Sequence, residues 1–510
     1  MDSSPSPTPK QSRTRIALLS ALALAALGYG WFIYEQGAPY ASGSDASGYL
    51  NSARLLARGQ VSEPVRTVPG LVPPIWSYSL YQSLGCNVDR QTGRMVPSYP
   101  IGLPLHYAVA AVIVGFEKTA RVVNALNALA AGALLYALGR QLGLARPWSL
   151  AAVALLWACP IWIYQSLQPM SDNVATTWSV AAILCALRAR ERTAWAVAAG
   201  AAFAVAVLVR PTSGMLLVPL AIALGGRWRA WGEFALGGLP FALALSVYNY
   251  SAYGNAFAIG YNYNGINVLT GGFGWQFFRG NLAHFAVWIP QLLSPPIAIL
   301  AVLGLPWVIR QAPRNGWLLA GWITAFIGLY SCYFCAGETW WYLRFLLPGF
   351  SAVILAALLA LQILSARLPG KVAWLAPGTL VLAGLVFQCT LTGRLHAADI
   401  RGNERHYWAA SMWLKQHAPA DAILLTWQLS GSSLFYNTQP IVRWDFLNPS
   451  DFELLRQTAA AQHRPIYAPL FGSEKIEMQK RLGGHWLAVG HAGIVTIWRL
   501  AGPTGVEVTR

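Results

Sequence analysis

The chain has 510 residues, 55% of them hydrophobic and 11% charged, against about 25% charged in a soluble domain, so a water-soluble globule is excluded. Its 23 Trp and 21 Tyr supply far more apolar surface than ordering needs, which excludes disorder. The 36 Lys and Arg against 19 acids point either to nucleic acid or to the cytoplasmic loops of a multispan membrane protein, and the placement of the charges decides between them.

Lys10, Arg13 and Arg15 precede an apolar run from Ile16 to about Tyr34, close to the roughly 20 residues that cross a bilayer. The run is long for a signal-peptide core and no clear A-x-A site follows, so it reads as an uncleaved first span with the N-terminus inside. Polar sequence from about Glu35 to Tyr99 then lies outside. Residues 102–116 are apolar but short, and read as a re-entrant or interfacial helix on the outer side. Further apolar runs lie at about 122–139, 147–165, 173–189, 194–209, 212–226, 232–250, 285–309, 316–335, 343–364 and 372–391, which with the first makes about eleven spans. Alternate junctions carry Arg140 and Arg146, then Arg188, Arg190 and Arg192, then Arg227 and Arg229, Arg310 and Arg314, and Arg367 and Lys371. All fall on the side of the N-terminus, as the positive-inside rule requires. The basic excess is thereby accounted for, and no nucleic-acid motif is present.

An odd number of spans puts the C-terminus outside. From about residue 395 the pattern turns soluble: helix-like 404–417, an apolar strand Ala422 to Trp427, helix-like 450–461, strand 465–470, helix-like 473–482, and strands near 485–489 and 493–499. That alternation predicts a small α/β domain. The expected fold is an all-α polytopic membrane bundle over 1–394, with a first outer loop at 35–121, followed by a soluble extracytoplasmic α/β domain over 395–510. The only low-complexity tract is the Ser/Pro-rich 3–9. Cys332 and Cys335 form a CxxC without two further ligands nearby in sequence, which favours packing over metal. Cys86 stands alone in the first outer loop.

Acids are few on the outer face of the bundle, where holding one near hydrocarbon is costly and usually has a purpose. Asp45 opens the stretch Asp45 to Gly59, in which Ala46, Leu50, Ala53 and Ala57 share one helical face while Ser47, Asn51, Arg54 and Arg58 line a polar one. This predicts an interfacial amphipathic helix with Asp45 at its N-terminus, where it either caps the helix or does chemistry. Asp172, in Gln168-Pro169-Met170-Ser171-Asp172-Asn173, sits at the next outer junction and has the same two readings. Two such carboxylates could bind a divalent cation or place a general base beside a phosphate leaving group. Glu63, Asp89 and Glu117 read as solvated loop charges. Arg210, in Val209-Arg210-Pro211-Thr212-Ser213, and Arg344, in Tyr342-Leu343-Arg344-Phe345-Leu346, lie outside against the positive-inside bias. A guanidinium there suits a phosphate oxyanion; otherwise it snorkels to the interface, or pairs with Glu338. The aromatic and amide clusters Tyr248 to Tyr250, Tyr261 to Gly265 and Gly274 to Arg279 suit sugar faces, and equally the interfacial aromatic belt.

The order of these elements resembles the GT-C superfamily of polyprenyl-phosphate-sugar-dependent glycosyltransferases, especially the protein O-mannosyltransferases and the lipid A aminoarabinose transferase. The residues that carry the resemblance are Asp45 with Gly48-Tyr49 and Ala57-Arg58-Gly59, Tyr99-Pro100-Ile101-Gly102-Leu103-Pro104-Leu105, Arg121-Val122-Val123-Asn124, Tyr136-Ala137-Leu138-Gly139-Arg140, Asp172, Arg210-Pro211-Thr212, and Arg344-Phe345-Leu346-Leu347-Pro348. The resemblance implies that Asp45 is the general base or metal-site organiser and that Asp172 joins the same cavity. It further implies that Arg210, Arg344 and Arg58 hold the lipid phosphate, and that Tyr49, Tyr99 and Glu338 contact substrate. Many members carry a Lys in the segment after the first loop, where this chain has Ser98-Tyr99-Pro100-Ile101-Gly102. The implied activity is an inverting sugar transfer from a polyprenyl-phosphate donor to an extracytoplasmic glycolipid, polysaccharide or protein at the cell membrane, with a divalent metal cation as the one cofactor to consider. The rival class is a membrane transporter or lipid flippase, but such proteins carry mid-membrane ionisable sites and internal repeats, and neither is visible here.

Overall fold

The computed structural model describes residues 9–262 and 272–501. The helices follow the apolar runs closely: α1 (Pro9–Gln36), α2 (Asp45–Ala57), α3 (Gly102–Val114), α4 (Phe116–Gln141), α5 (Arg146–Ala158), α6 (Pro160–Ser166), α7 (Asp172–Arg188), α8 (Ala194–Val209), α9 (Leu217–Leu224), α10 (Trp228–Tyr253), α11 (Phe278–Leu293), α12 (Pro295–Gln311), α13 (Pro313–Ser331), α14 (Leu347–Ser365) and α15 (Val372–Arg394). Helix α14 is the axis of the bundle. All residues from Leu347 to Leu361 are buried, as expected of a helix apolar on every side. Helices α8 and α10 approach closely through glycine: a Cβ at Gly200 or Gly237 would collide with the backbone carbonyl of Phe234 or Val197. That is the small-residue packing of helices in lipid, where close backbone approach replaces the hydrophobic drive.

The eleven-span expectation is met only in coarser form. Among the described residues four helical stretches are long and apolar enough to cross a membrane, Phe116–Gln141, Trp228–Tyr253, Trp340–Ser365 and Val372–Arg394, and two bent pairs raise that to six. Of the other apolar runs, the first lies in the 28-residue α1, and the rest fold into helices of at most 19 residues. The run at 285–309 is not one straight helix, because Ser294 (φ 68°) and two prolines break it into α11 and α12, bent by 113°. The run at 147–165 breaks likewise at Pro160, with a 64° bend. Proline removes a donor and frees carbonyls, which must be met inside the protein at membrane depth. Buried Gln388 of α15 does this for both breaks, donating to Leu155 O at 3.2 Å and Leu292 O at 3.0 Å. The short helix α3 ends at Gly115 (φ 75°) and exposes Leu105, Val109, Val112 and Ile113, the one-sided apolar surface expected of an interfacial or re-entrant helix.

The first outer loop is not loose polar sequence. Strands β1 (Glu63–Pro64), β2 (Cys86–Val88) and β3 (Arg94–Pro97) form an antiparallel sheet in the order β1-β3-β2. Glu63, expected to be solvated, pairs with Arg54 at 3.6 Å. Asp89 accepts from the backbone of Gln91 and Thr92 in a turn.

The C-terminal region holds α16 (Ile400–His417), β4 (Ile423–Leu425), α17 (Ser430–Tyr436), β5 (Ile441–Val442), α18 (Pro449–Ala461), β6 (Ile466–Phe471), α19 (Gly472–Leu482), β7 (Trp486–Ala492) and β8 (Val495–Leu500). Its five-stranded sheet has the order β5-β4-β6-β8-β7, with β5, β4 and β6 parallel and β8 and β7 antiparallel. Strands β4 and β6 are almost wholly buried, which is why they read as continuous apolar runs. Val65, Leu71, Trp76 and Tyr81 of the first outer loop share one core with Leu424, Trp444 and Ile466 of this region. The two segments, distant in sequence, therefore pack as one body.

Candidate active site

Helix α2 presents its polar face not to water but to α17. Asn51 donates to Gly431 O at 2.9 Å, and Arg54 donates to Phe435 O at 2.8 Å and Leu434 O at 3.1 Å. Arg54 thereby satisfies two of the last carbonyls of α17, and α2 is clamped between the bundle and the C-terminal region. This fixes the position of Asp45.

Neither aspartate caps its helix. The N-cap residues are Ser44 and Ser171, and neither makes a side-chain capping bond. Both carboxylates turn to arginine instead. Asp45 Oδ2 accepts from Arg344 Nη2 at 2.7 Å, and its Oδ1 accepts from the Tyr99 hydroxyl at 2.5 Å. Asp172 pairs with Arg210, whose Nε donates to the Tyr330 hydroxyl at 3.3 Å. Neither arginine snorkels, and Arg344 chooses Asp45 over Glu338.

Tyr99 reaches Asp45 because the residue one turn along α2 is Gly48: a Cβ there would lie 2.5 Å from the Tyr99 ring. The Tyr99 hydroxyl also contacts Ser44 Oγ at 2.8 Å. Burial and the adjacent Asp45 charge push the Tyr99 phenol well above its ordinary value, so it stays a proton donor. At Asp45 burial pushes the carboxyl up, but the Arg344 guanidinium, the Tyr99 hydrogen bond and the charge of Arg210 outweigh it and hold the carboxyl below the usual range.

A cavity of about 350 Å³ opens between the pairs, lined by Asp45, Tyr49, Tyr99, Asp172, Arg210 and Arg344 among others. The Tyr49 hydroxyl donates to Ser171 Oγ at 2.9 Å. The ring of Phe345 lies between the two guanidinium groups, 4.9 Å from that of Arg210 and 5.2 Å from that of Arg344. This cation–π arrangement holds two like charges side by side.

A family model described as "Dolichyl-phosphate-mannose-protein mannosyltransferase" matches residues 99–248, the part that holds Tyr99, Asp172 and Arg210. No curated protein matches the chain in sequence. Among solved structures, ArnT from Cupriavidus metallidurans bound to undecaprenyl phosphate is 15% identical, with 96% of this chain and 98% of that one covered and a TM-score of 0.56. The Archaeoglobus fulgidus oligosaccharyltransferase in complex with Zn and sulfate is 12% identical over 92% of this chain and 72% of that one, TM-score 0.55. Arabinofuranosyltransferase AftD from Mycobacteria is 14% identical over 94% of this chain and 40% of that one, TM-score 0.52. The chain has the GT-C glycosyltransferase fold.

Within that GT-C fold, six of the eight residues expected at the site line the main cavity. Arg58 does not join them. It is the exposed C-cap of α2, about 20 Å along the helix from Asp45 at 1.5 Å per residue, too far to touch a ligand held there. Glu338 lines neither this cavity nor the one beside it. As for metal, each aspartate is already committed to a guanidinium, and no group of three His, Cys, Asp or Glu side chains gathers among the described residues. The donor set fits guanidinium groups rather than a metal ion. The aromatic walls Tyr261, Tyr330, Tyr333, Tyr342 and Phe345 are the residues sequence reasoning did not place. Phe345 follows Arg344 in one of the motifs that carry the GT-C resemblance, and Tyr261 belongs to a cluster equally suited to the aromatic belt. Tyr263, Asn264 and Gly265 of that cluster lie outside the described residues.

Proposed function

We propose that the chain is an integral-membrane glycosyltransferase that moves a sugar from a polyprenyl-phosphate donor to an extracytoplasmic acceptor, with inversion. The observation that carries this is the convergence of two Asp–Arg pairs from four separate outer junctions on one aromatic-walled cavity in a GT-C fold. In this reading all eleven apolar runs are membrane crossings, the run at 285–309 as one crossing broken at Ser294. The N-terminus is cytoplasmic, and the body built on 395–510 lies outside the cell membrane.

The donor phosphate sits against Arg344 and Arg210. Arg344 Nε is buried with no hydrogen-bond partner among the described residues, a donor free for a phosphate oxygen. As the phosphate takes up guanidinium contacts, Arg344 loosens from Asp45, and the carboxylate regains basicity beside the anomeric carbon. The acceptor hydroxyl attacks that carbon from the face opposite the phosphate. One C–O bond forms as the bond to phosphate breaks, the electron pair leaves on the phosphate oxygen, and the hydroxyl proton passes to Asp45. The two guanidinium groups stabilise the charge that grows on the leaving phosphate.

The test is transfer from a panel of undecaprenyl-phosphate sugars to membrane acceptors by the purified full chain in proteoliposomes, with the anomeric configuration of the product read by NMR. The expected product has the configuration opposite to the donor's. A retained configuration overturns single displacement, and donor movement across the bilayer without a new glycosidic bond overturns the enzyme.

A further inference from the structure

On the far side of the Asp45–Arg344 pair lies a second cavity of about 240 Å³, which shares Asp45, Tyr342 and Arg344 with the first. Its chemistry is different. Where the main cavity meets Arg210, this one meets Glu404 of α16 together with Gln165, Gln168 and the rings of Tyr164, Trp341 and Tyr407.

Two of these residues carry polar groups that the protein leaves largely unpaired. Gln165 is 1% exposed, yet both its carbonyl oxygen and its amide nitrogen lack a partner among the described residues. A buried amide left unpaired costs on the order of 1–3 kcal/mol, so its place beside a cavity calls for a ligand that donates and accepts hydrogen bonds. Glu404 takes part in no ion pair among the described residues, and its protein partner is the Ser42 hydroxyl. Burial raises its carboxyl, against the lowering by Ser42. Arg344 offsets the charge of Asp45 in this cavity, so Glu404 adds an unpaired carboxylate that disfavours phosphate or uronate and accepts hydrogen bonds from hydroxyl or amino groups.

We infer that this second cavity is the acceptor subsite and that it takes a sugar ring, uncharged or amino-bearing, whose hydroxyl reaches Asp45 from the side opposite the donor phosphate. This rests on the donor reading above. An amide, a carboxylate and flat aromatic faces match the alternating hydroxyls and C–H faces of a saccharide. The pocket is small, below the usual range for ligand pockets of about 300–1,000 Å³, which suits one ring better than a length of polypeptide. Glu404 is supplied by the outer body, so the acceptor meets both halves of the molecule.

The experiment is saturation-transfer NMR on the full chain in nanodiscs, using methyl glycosides of a neutral hexose, a 2-amino hexose and a uronic acid, with undecaprenyl phosphate binding measured on the same samples. Neutral and amino glycosides are expected to bind wild type and the uronate not. Gln165→Leu should weaken the glycosides about three- to tenfold, the worth of one or two net hydrogen bonds, with undecaprenyl phosphate affinity held within a factor of about two. Glu404→Gln, which keeps shape and removes charge, should let the uronate bind, and it carries the test if Gln165→Leu does not fold. A wild type that binds undecaprenyl phosphate but no glycoside, a Gln165→Leu protein with glycoside binding unchanged, a Glu404→Gln protein that still rejects the uronate, or displacement of glycoside by a Ser/Thr peptide would each overturn the inference. Glycoside binding without undecaprenyl phosphate binding would break the donor reading and leave this subsite standing.

Discussion

The two aspartate–arginine pairs that wall the cavity are alike in composition and differ in surroundings. At Asp172–Arg210 the side chains are 2% and 15% exposed, whereas at Asp45–Arg344 they are 26% and 14% exposed. Asp172 is enclosed by α7, Arg210 and the rings around it. Asp45 instead faces two cavities and shares its oxygens between a guanidinium and a phenol. A buried pair whose partner is removed leaves an uncompensated charge, and the penalty is smaller on the aspartate side where the carboxylate is more open to solvent. In the proposed reaction this contrast makes Asp172 the residue that fixes Arg210 in place and Asp45 the one that exchanges partners.

The largest effect that sharpens this contrast is on stability. Asp172→Asn should cost about 3–5 kcal/mol, because Arg210 is left buried without its counter-charge. Thermal melts in detergent should then show recovery in an Asp172→Leu/Arg210→Met double variant, which removes both charges together. Next comes donor binding. Arg344→Lys keeps a charge but loses the planar fork, and should raise the donor KM about tenfold, the worth of about 1.4 kcal/mol, with the melting temperature little changed.

A smaller effect is expected at Tyr99, whose hydroxyl helps to hold the Asp45 carboxyl low. Tyr99→Phe removes that donor, so the Asp45 carboxyl rises and the acid limb of kcat/KM moves to higher pH. The depressed carboxyl also contributes stability that is present above its unfolded value of about 3.9 and lost as pH falls through the folded value. Tyr99→Phe should shrink that contribution, and a pH series of melts reads it. Smallest is Arg58→Ala. At the exposed end of α2 it should change stability by less than about 0.5 kcal/mol and leave donor KM where it was; a raised KM would return Arg58 to the site.

Much of this was legible in the sequence, and for identifiable reasons. Asp45, Asp172, Arg210 and Arg344 are charges at junctions between apolar runs, and charge placement is a strong signal against an apolar background. The C-terminal strands were legible because β4 and β6 are short apolar runs between turn signals. What was missed lacked contrast. Phe345 and Tyr330 are aromatics in a chain full of them, and Gln165 is an amide inside an apolar run whose lack of partners exists only in three dimensions. The break at Ser294-Pro295-Pro296 was visible as letters, but a hydropathy window averages over it. Arg58 was misplaced because a resemblance carried by short motifs says nothing of a residue's distance along the helix axis, and Glu63 because β1 forms only through pairing with β3, about thirty residues on.

The most direct test of the central claim compares Asp45→Asn with wild type for sugar transfer from undecaprenyl-phosphate sugar, at folded fractions matched by thermal melts and with undecaprenyl phosphate binding measured alongside. Loss of a positioned proton acceptor predicts a rate lower by about 10²–10⁴-fold with lipid binding retained. A rate within about twofold of wild type would contradict the account and make the Asp45–Arg344 pair a second piece of scaffold.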